Sequence, residues 1–332
     1  MKKIYVISND KVWFKKKKYN SNNDLENIVS CFSKDHKVEL ICRRSSKKLN
    51  FPINQKIKFC RMKNIKEKEL NIFMISITPF NLLSLLKLVF RGKKIKGFVY
   101  LRSDGFLEYK IKYSFFGYIF YYLMFWIIKK NLKIISCSQN FTHVKVKSIV
   151  HPSELTSSWF KINKNKKFET DFLYVGRFKK EKGVIYLTKI FKEYLKDFKL
   201  RIIGTEKKLI SKKYYNKNIE FLDTVSNQNK LIHLYDKSKI LILASYTEGF
   251  PKVISESLAR LRPIIIFEEI AHVVNGRKGI FICKRNKKSI KDTVSYILKN
   301  YKQIQNLIRK NYFYTRESFK KELLKATKNE FI

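Results

Sequence analysis

The sequence predicts an α/β protein of two doubly wound, parallel-sheet domains. Short aliphatic and β-branched runs alternate with helical stretches along the whole chain, the βα rhythm of parallel sheets. That rhythm breaks once, at the lysine-rich segment KINKNKKFET from Lys161 to Thr170, which has no apolar periodicity. A length of 332 residues exceeds one ordinary core and suits two domains of roughly 150 residues each.

In the first half, Ile4 to Ile7, Val38 to Cys42, Ile72 to Ile77, Gly97 to Leu101 and Lys133 to Cys137 read as strands. Helices are expected around Asp24 to Phe32, Asn81 to Phe90 and Ser114 to Lys130. After the break, strands are expected at Phe172 to Val175, Leu200 to Ile203, Ile219 to Leu222, Ile240 to Ala244 and Ile264 to Phe267, with a short segment at Gly279 to Ile282. Helices follow from Gly183, near Asn227 to Tyr235 and from Lys252 to Leu261. The expected domains are 1–162 and 171–332, with the basic stretch Ser318 to Lys328 a candidate helix for crossing back onto the first domain. No repeat of 20 to 50 residues is visible, which excludes solenoids and propellers.

A hydrophobic fraction of 45% and an aromatic fraction of 15% exclude a chain dominated by disorder. The net charge of +45, from 72 basic against 27 acidic residues, points to an anionic partner. An abundance of Lys, Asn, Ile, Phe and Tyr together is what an AT-rich coding sequence imposes, and it accounts for much of the lysine but not for the scarcity of acids. A membrane surface ranks above nucleic acid, since no arginine-rich or RNP-like motif is present. Cys31, Cys42, Cys60, Cys137 and Cys283 are odd in number and widely spaced, which fits a reducing compartment. Lys2 and Lys3 precede only a short apolar run, so no export signal is expected and the location is cytoplasmic. Between Lys112 and Lys129 lies YSFFGYIFYYLMFWII, residues 113–128, shorter than the roughly 20 residues that span a bilayer. It reads either as a buried helix or as an interfacial segment touching anionic lipid, the chain then being peripheral on the inner face of the membrane.

The segment SYTEGFPKVISESLARL, Ser245 to Leu261, sets a carboxylate, a glycine and a proline between a buried strand and an amphipathic helix. Gly249 lets a backbone approach a ligand, Pro251 suits a first helical turn, and the free N–H groups of that turn attract a phosphate. Glu248 and Glu256 beside a phosphate make sense as acceptors for neutral hydroxyls, so phosphate and hydroxyls together suggest a nucleotide sugar.

EGFPKVISE followed by SLA strongly resembles the Glu-x7-Glu motif of the family-4 glycosyltransferases, matched by Glu248 and Glu256. The resemblance covers Asp171 to about Lys299; it implies a GT-B fold, two Rossmann-like domains facing a cleft, with the donor on the C-terminal one. It implies that Glu248 lies by the donor sugar and Glu256 by the nucleotide ribose, while the backbone of Gly249, Phe250, Pro251, Lys252 and Val253 faces the sugar and diphosphate. Upstream, DFLYVG runs into RFKKEKG, placing Arg177 and Lys182 at the family's spacing for its diphosphate-binding pair, with Gly176 before them a further donor-side residue. Two cations there would stabilise charge building on a departing diphosphate. Gly204 and the segment Asp223 to Val225 are expected near the base, although family members commonly have glycine where Asp223 stands. The plainer readings are surface charge for Arg177 and Lys182 and a solvated helix face for Glu256.

On the acceptor side the family's glycine-rich first loop is replaced by SNDKVWFKKKKYNSNND, where Asn22, Asn23 and Asp24 read as helix caps. After GFVYL come Arg102, Ser103, Asp104 and Gly105, where family members often carry histidine. Asp104 is read either as a catalytic group orienting an acceptor or stabilising charge at the sugar, or as a turn residue. His36, His143, His151, His233 and His272 show no metal-ligand spacing, His151 being a further acceptor-side candidate. There is no Asp-x-Asp pair, so neither metal nor cofactor is expected, the nucleotide sugar being a substrate. The resemblance implies a retaining glycosyltransferase acting on a glycan or lipid-linked acceptor in cell-surface polysaccharide or lipopolysaccharide biosynthesis. The alternatives are a nucleotide-sugar epimerase or hydrolase on the same fold, or a basic membrane or nucleic-acid binding module.

Overall fold

The computed structural model describes all residues except 1, 16–17, 55, 140, 142–145, 163–166, 205, 207–209 and 332, so His143 lies outside the described residues. The chain divides into two compact units, Met1–Pro152 with Glu317–Ile332, and Ser153–Arg316.

The first unit is built on strands β1 (Lys3–Lys15), β2 (Lys18–Ser21), β3 (Lys37–Arg44), β4 (Phe51–Pro52), β5 (Lys58–Phe59), β6 (Glu69–Ile75), β7 (Lys94–Leu101), β8 (Lys133–Ser136) and β9 (Ser148–Ile149). The parallel layer runs β5-β3-β1-β6-β7-β8-β9. β2 returns antiparallel on β1, and β4 on β2. Helices α1 (Asn23–Phe32), α2 (Pro79–Phe90) and α3 (Gly105–Asn131) connect the strands. Each opens on a side-chain cap: Asn22 accepts from the Leu25 N–H, Thr78 from Asn81 and Asp104 from Leu107.

Three expectations change here. The first strand does not end at Ile7. It passes an irregularity between Ser8 and Lys11, buries Val12, and pairs Trp13, Phe14 and Lys15 with Asn20, Tyr19 and Lys18. The supposed loop is thus largely a hairpin, held by Phe14 stacked on Tyr19 at 5.0 Å. The aromatic helix begins earlier, at Gly105, and breaks at Tyr113 and Ser114, which leave helical geometry. It is also mostly exposed, against the buried-helix reading. The domain boundary lies eight residues before the lysine-rich segment, because Leu155 and Trp159 are buried in the second core. Trp159 meets the Tyr235 ring edge-on at 5.6 Å, and its carbonyl accepts from Arg260 at 2.7 Å.

The second unit is a parallel sheet of β10 (Thr170–Val175), β11 (Leu200–Ile203), β12 (Ile219–Leu222), β13 (Ser238–Leu243), β14 (Ile264–Phe267) and β15 (Ile280–Cys283), in the order β12-β11-β10-β13-β14-β15. Its central strands are apolar throughout, as a sheet covered on both faces requires; Ile264, Ile265, Ile266 and Phe267 are all fully buried. The helices are α4 (Val184–Glu193), α5 (Gln228–Asp236), α6 (Lys252–Ala259), α7 (Lys287–Lys299) and α8 (Tyr301–Ile308). Arg260, on the residue after α6, is buried with Asp236 in a two-pronged ion pair at 2.8 and 2.9 Å.

The final helix, α9 (Arg316–Phe331), packs within the first unit from Glu317 onward. Phe319 and Phe331 are buried there, Phe331 against Phe98 at 5.5 Å and Phe32 at 6.0 Å. Glu322 accepts from the His151 backbone N–H at 2.7 Å.

Candidate active site

In the second unit the chain leaves β10 toward β11 on one side and reaches β13 on the other. The strand order therefore reverses between β10 and β13, and ligands of open α/β sheets bind at the carboxyl ends of such a pair. Gly176 and Arg177 follow β10, and the Ser245–Glu248 segment follows β13, so both sequence motifs converge on this edge.

Glycines make the convergence possible. Gly183 ends the short turn Lys180–Lys182 with φ of +63° and begins α4; a Cβ on it would stand 1.8 Å from the Ala244 carbonyl oxygen. That close approach lets the Tyr246 N–H donate to the Glu181 carbonyl at 3.0 Å, joining the two loops. Gly204, at the end of β11 with φ of +119°, packs on Gly176, whose N–H donates to Ile203 at 2.8 Å.

On this frame Lys182 Nζ stands 2.7 Å from Glu248 Oε1, and the Ser245 hydroxyl donates to the same oxygen at 2.6 Å. The pair is largely buried, with side-chain exposures of 21% and 12%. The backbone carbonyl of Glu248 is 2.9 Å from His272 Nε2. Arg177 is exposed, with no carboxylate within ion-pair distance among the described residues. Immediately after Glu248, Gly249 and Pro251 are buried and α6 begins without a side-chain cap, the kind of helix start that attracts an anion. The Phe250 ring lies under the Arg277 guanidinium at 5.4 Å; burial lowers that guanidinium's pKa to about 10. Val253 and Val225 pack partly buried against the core, Val225 just beyond β12.

The plainer readings of Glu256 and Lys182 do not hold. Glu256 does not lie on a solvated helix face: it is 8% exposed, and its Oε2 accepts from the buried Tyr235 hydroxyl at 2.8 Å. Burial and this carboxylate push the Tyr235 phenol well above its usual range, so it remains a donor. The Lys252 side chain reaches Glu154 at 3.1 Å. Lys182 is likewise no ordinary surface cation.

Asp104 belongs to the first unit, where it caps α3, its Oδ1 accepting from Leu107 at 3.1 Å. Beside it, Arg102 contacts Asp10 and Asp24, each at 3.5 Å, and Ser76 at 3.2 Å. Asn22, besides capping α1, donates to Asp10 at 2.9 Å. His151 is turned to Glu322, 3.2 Å away. Among the described residues no three or more His, Cys, Asp or Glu side chains are grouped to hold a metal ion.

One residue in the second unit escaped the sequence. Arg285, just beyond β15, donates to the carbonyls of Ala244 at 2.9 Å and Ser245 at 3.3 Å, and pairs with Glu269 at 2.6 Å. Its guanidinium also lies over the rings of Tyr246, Phe267 and Tyr186 at 4.1, 4.3 and 4.8 Å. It clamps the backbone that carries Glu248. The only signal in the sequence was an arginine directly after a strand, in a chain where basic residues are common.

Residues 156–312 match the family of glycosyl transferases group 1. An uncharacterized glycosyltransferase of Haemophilus influenzae is 29% identical over 158 residues, 45% of this chain and 44% of that relative, so the match spans less than half of the relative's length. Among solved structures, a sucrose-phosphate synthase from Thermosynechococcus elongatus superposes with a TM-score of 0.70 at 11% identity, over 98% of this chain and 95% of that one. WaaG, a glycosyltransferase involved in lipopolysaccharide biosynthesis, gives 0.65 at 12% identity over 98% and 100%. HepE from Anabaena, solved in complex with UDP-glucose, gives 0.62 at 10% identity over 98% and 99%. At these identities the likeness is one of fold. The match to the group 1 glycosyltransferases thus runs through nearly the whole of the second unit, and the fold of the chain is GT-B, with two Rossmann-like units.

Proposed function

We propose that the chain is a retaining glycosyltransferase that moves a sugar from a nucleotide-sugar donor, held by its second unit, to a glycan or lipid-linked acceptor in cell-surface polysaccharide or lipopolysaccharide synthesis. The observation that carries this reading is the Lys182–Glu248 pair at the reversal of strand order, beside an unpaired Arg177 and the start of α6, which has no side-chain cap. In this reading Arg177, Lys182 and the first N–H groups of α6 take the diphosphate, and Glu248 accepts from sugar hydroxyls.

When the bond from the anomeric carbon to the phosphate oxygen breaks, both bonding electrons leave with the diphosphate. Cations already in place stabilise that charge more than they stabilise the intact donor. The acceptor oxygen then bonds to the anomeric carbon on the face the diphosphate leaves, and its proton passes to the departing phosphate. Gly204 and Val225 border the base, Glu256 reaches the ribose through its Tyr235-braced carboxylate, and Asp104 on the first unit orients the acceptor. The polysaccharide or lipopolysaccharide setting draws support from the fold shared with WaaG, and the nucleotide-sugar donor from the fold shared with HepE. The reaction is cytoplasmic in this reading.

Thermal unfolding in the presence of UDP, GDP, ADP and their sugar conjugates tests it, since a ligand of the folded state raises the melting temperature. One nucleotide is expected to stabilise the wild type and to lose its effect in Arg177→Ala. Arg177→Ala and Glu248→Ala are each expected to lower transfer about tenfold to a hundredfold without unfolding the protein. Wild-type rates in both would overturn the assignment. Because side-chain cations neutralise the leaving group, transfer is expected to survive a chelator unchanged; its loss on chelation and return with a divalent ion would count against this mechanism.

A further inference from the structure

Helix α3 is not one rod. Tyr113 and Ser114 leave helical geometry, Ser114 with φ of +57°, and the chain folds back on itself. Phe106 of the first arm meets Tyr118, Tyr121 and Phe125 of the second at 5.6, 4.8 and 5.2 Å. Gly117 permits the approach, since a Cβ there would lie 2.3 Å from the Tyr109 carbonyl oxygen. Tyr121, Met124, Phe125 and Ile128 face inward.

The residues facing outward have no cover. The bend exposes Tyr113, Phe115 and Phe116, the last by 81%, and the second arm exposes Ile119, Phe120, Tyr122, Leu123 and Trp126. Phe90 at the end of α2 is exposed by 83%, with Leu83 and Val89 exposed on the same helix. Isolated apolar side chains on a surface need no explanation, but such a run on adjoining residues marks an interaction surface. Helix α2 packs beside α3, so the two belong to one part of the unit.

The charges beside this surface select its partner. Lys87, Arg91, Lys93 and Lys94 accompany α2, and Lys110, Lys112, Lys129 and Lys130 flank the apolar part of α3; the one acid on the two helices, Glu108, is paired with Lys112. Lys130 lies 3.3 Å from the centroid of the Trp126 ring, an aromatic and a cation side by side, as at a headgroup layer. A second copy would set these lysines against themselves. An anionic bilayer offers both an apolar phase and opposing charge. The longer arm, 115–131, reaches about 25 Å at about 1.5 Å per residue, short of the roughly 30 Å hydrocarbon core, so it suits the interface better than a crossing.

We propose that the folded-back α3, with the exposed end of α2, docks the first unit onto an anionic phospholipid leaflet, the Phe115–Phe116 bend entering the headgroup–acyl boundary. The inference rests on side chains of the first unit alone and stands apart from the donor chemistry of the second.

Co-sedimentation of the full chain with vesicles tests it, using phosphatidylcholine mixed with phosphatidylglycerol and phosphatidylcholine alone. The wild type is expected to pellet with the anionic vesicles, less with the neutral ones, and less as salt rises. Phe115→Ser combined with Phe116→Ser is expected to lower partitioning about tenfold or more while melting and nucleotide stabilisation remain those of the wild type. Lys129→Gln with Lys130→Gln should weaken binding to the anionic vesicles only. The proposal is overturned if the wild type stays in the supernatant or if the phenylalanine variant pellets like it. It is also overturned if the wild type forms a dimer that this variant abolishes, because a second copy then covers the face.

Discussion

Gly183→Ala separates two effects of a glycine in one experiment. Gly183 and Gly276 both hold left-handed backbone, with φ of +63° and +72°. A Cβ at 276 meets nothing within 4 Å, whereas at 183 it would lie 1.8 Å from the Ala244 carbonyl oxygen. Ordinary contact begins at 3.4 Å, so the turn after β10 and the end of β13 would have to separate by about 1.6 Å, the difference of the two distances. The left-handed conformation alone costs about 1 kcal/mol with a Cβ, and overpacking adds about 1–3 kcal/mol. Gly276→Ala is therefore expected to lower the melting temperature by about 2–4 °C and Gly183→Ala by about 6 °C or more. The same displacement pulls on the Tyr246–Glu181 bond and on the Lys182–Glu248 pair. Since a shift of about 1 Å in a reacting constellation costs on the order of a hundredfold, Gly183→Ala is expected to lose about that factor in kcat/KM, and Gly276→Ala to change it little. Differential scanning calorimetry and a transfer assay read the two quantities. Equal effects of the two substitutions on both would refute the reasoning, because they would show that the contact with Ala244 carries no weight.

Arg285→Lys keeps the charge but loses the planar fork that grips two carbonyls; donor KM is expected to rise about tenfold with a smaller change in kcat, and an unchanged KM would remove Arg285 from the positioning of the loop. Asp236→Asn leaves the buried Arg260 guanidinium without its counter-charge, and urea unfolding is expected to show a loss of about 3–5 kcal/mol at unchanged slope; a loss below about 1 kcal/mol would contradict it. Lys3, and then the Tyr5 hydroxyl, hold the Glu67 carboxyl down to about 2 from 4.5. Its contribution to stability is thus complete above pH 4.5 and fades as pH falls toward about 2. Glu67→Gln should melt earlier than the wild type at neutral pH, with the gap closing across that window, and a gap independent of pH would show that the carboxylate's charge is not involved.

The sequence by itself determined the α/β class, most strands and the two motifs, because each is written locally. Four consecutive buried residues at Ile264–Phe267 announce a covered strand, and EGFPKVISE carries its glutamates, glycine and proline within one turn and one helix. Tertiary structure decided what depends on residues far apart in the chain. Leu155 and Trp159 precede the lysine-rich break but fill the second core, which moved the domain boundary to Pro152–Ser153. Glu256 looks like a solvated helix position until Tyr235, 21 residues upstream, is brought to 2.8 Å. Arg285 is one basic residue among 72 until parallel pairing places the end of β15 beside β14 and next to the loop after β13. The apolar run 113–128 could be read as core or surface, because a run that is apolar on every face has no periodicity to tell which side packs. Only the fold-back at Tyr113–Ser114 settles it, turning Tyr121 and Phe125 inward on Phe106 and leaving Phe115, Phe116 and Trp126 outside.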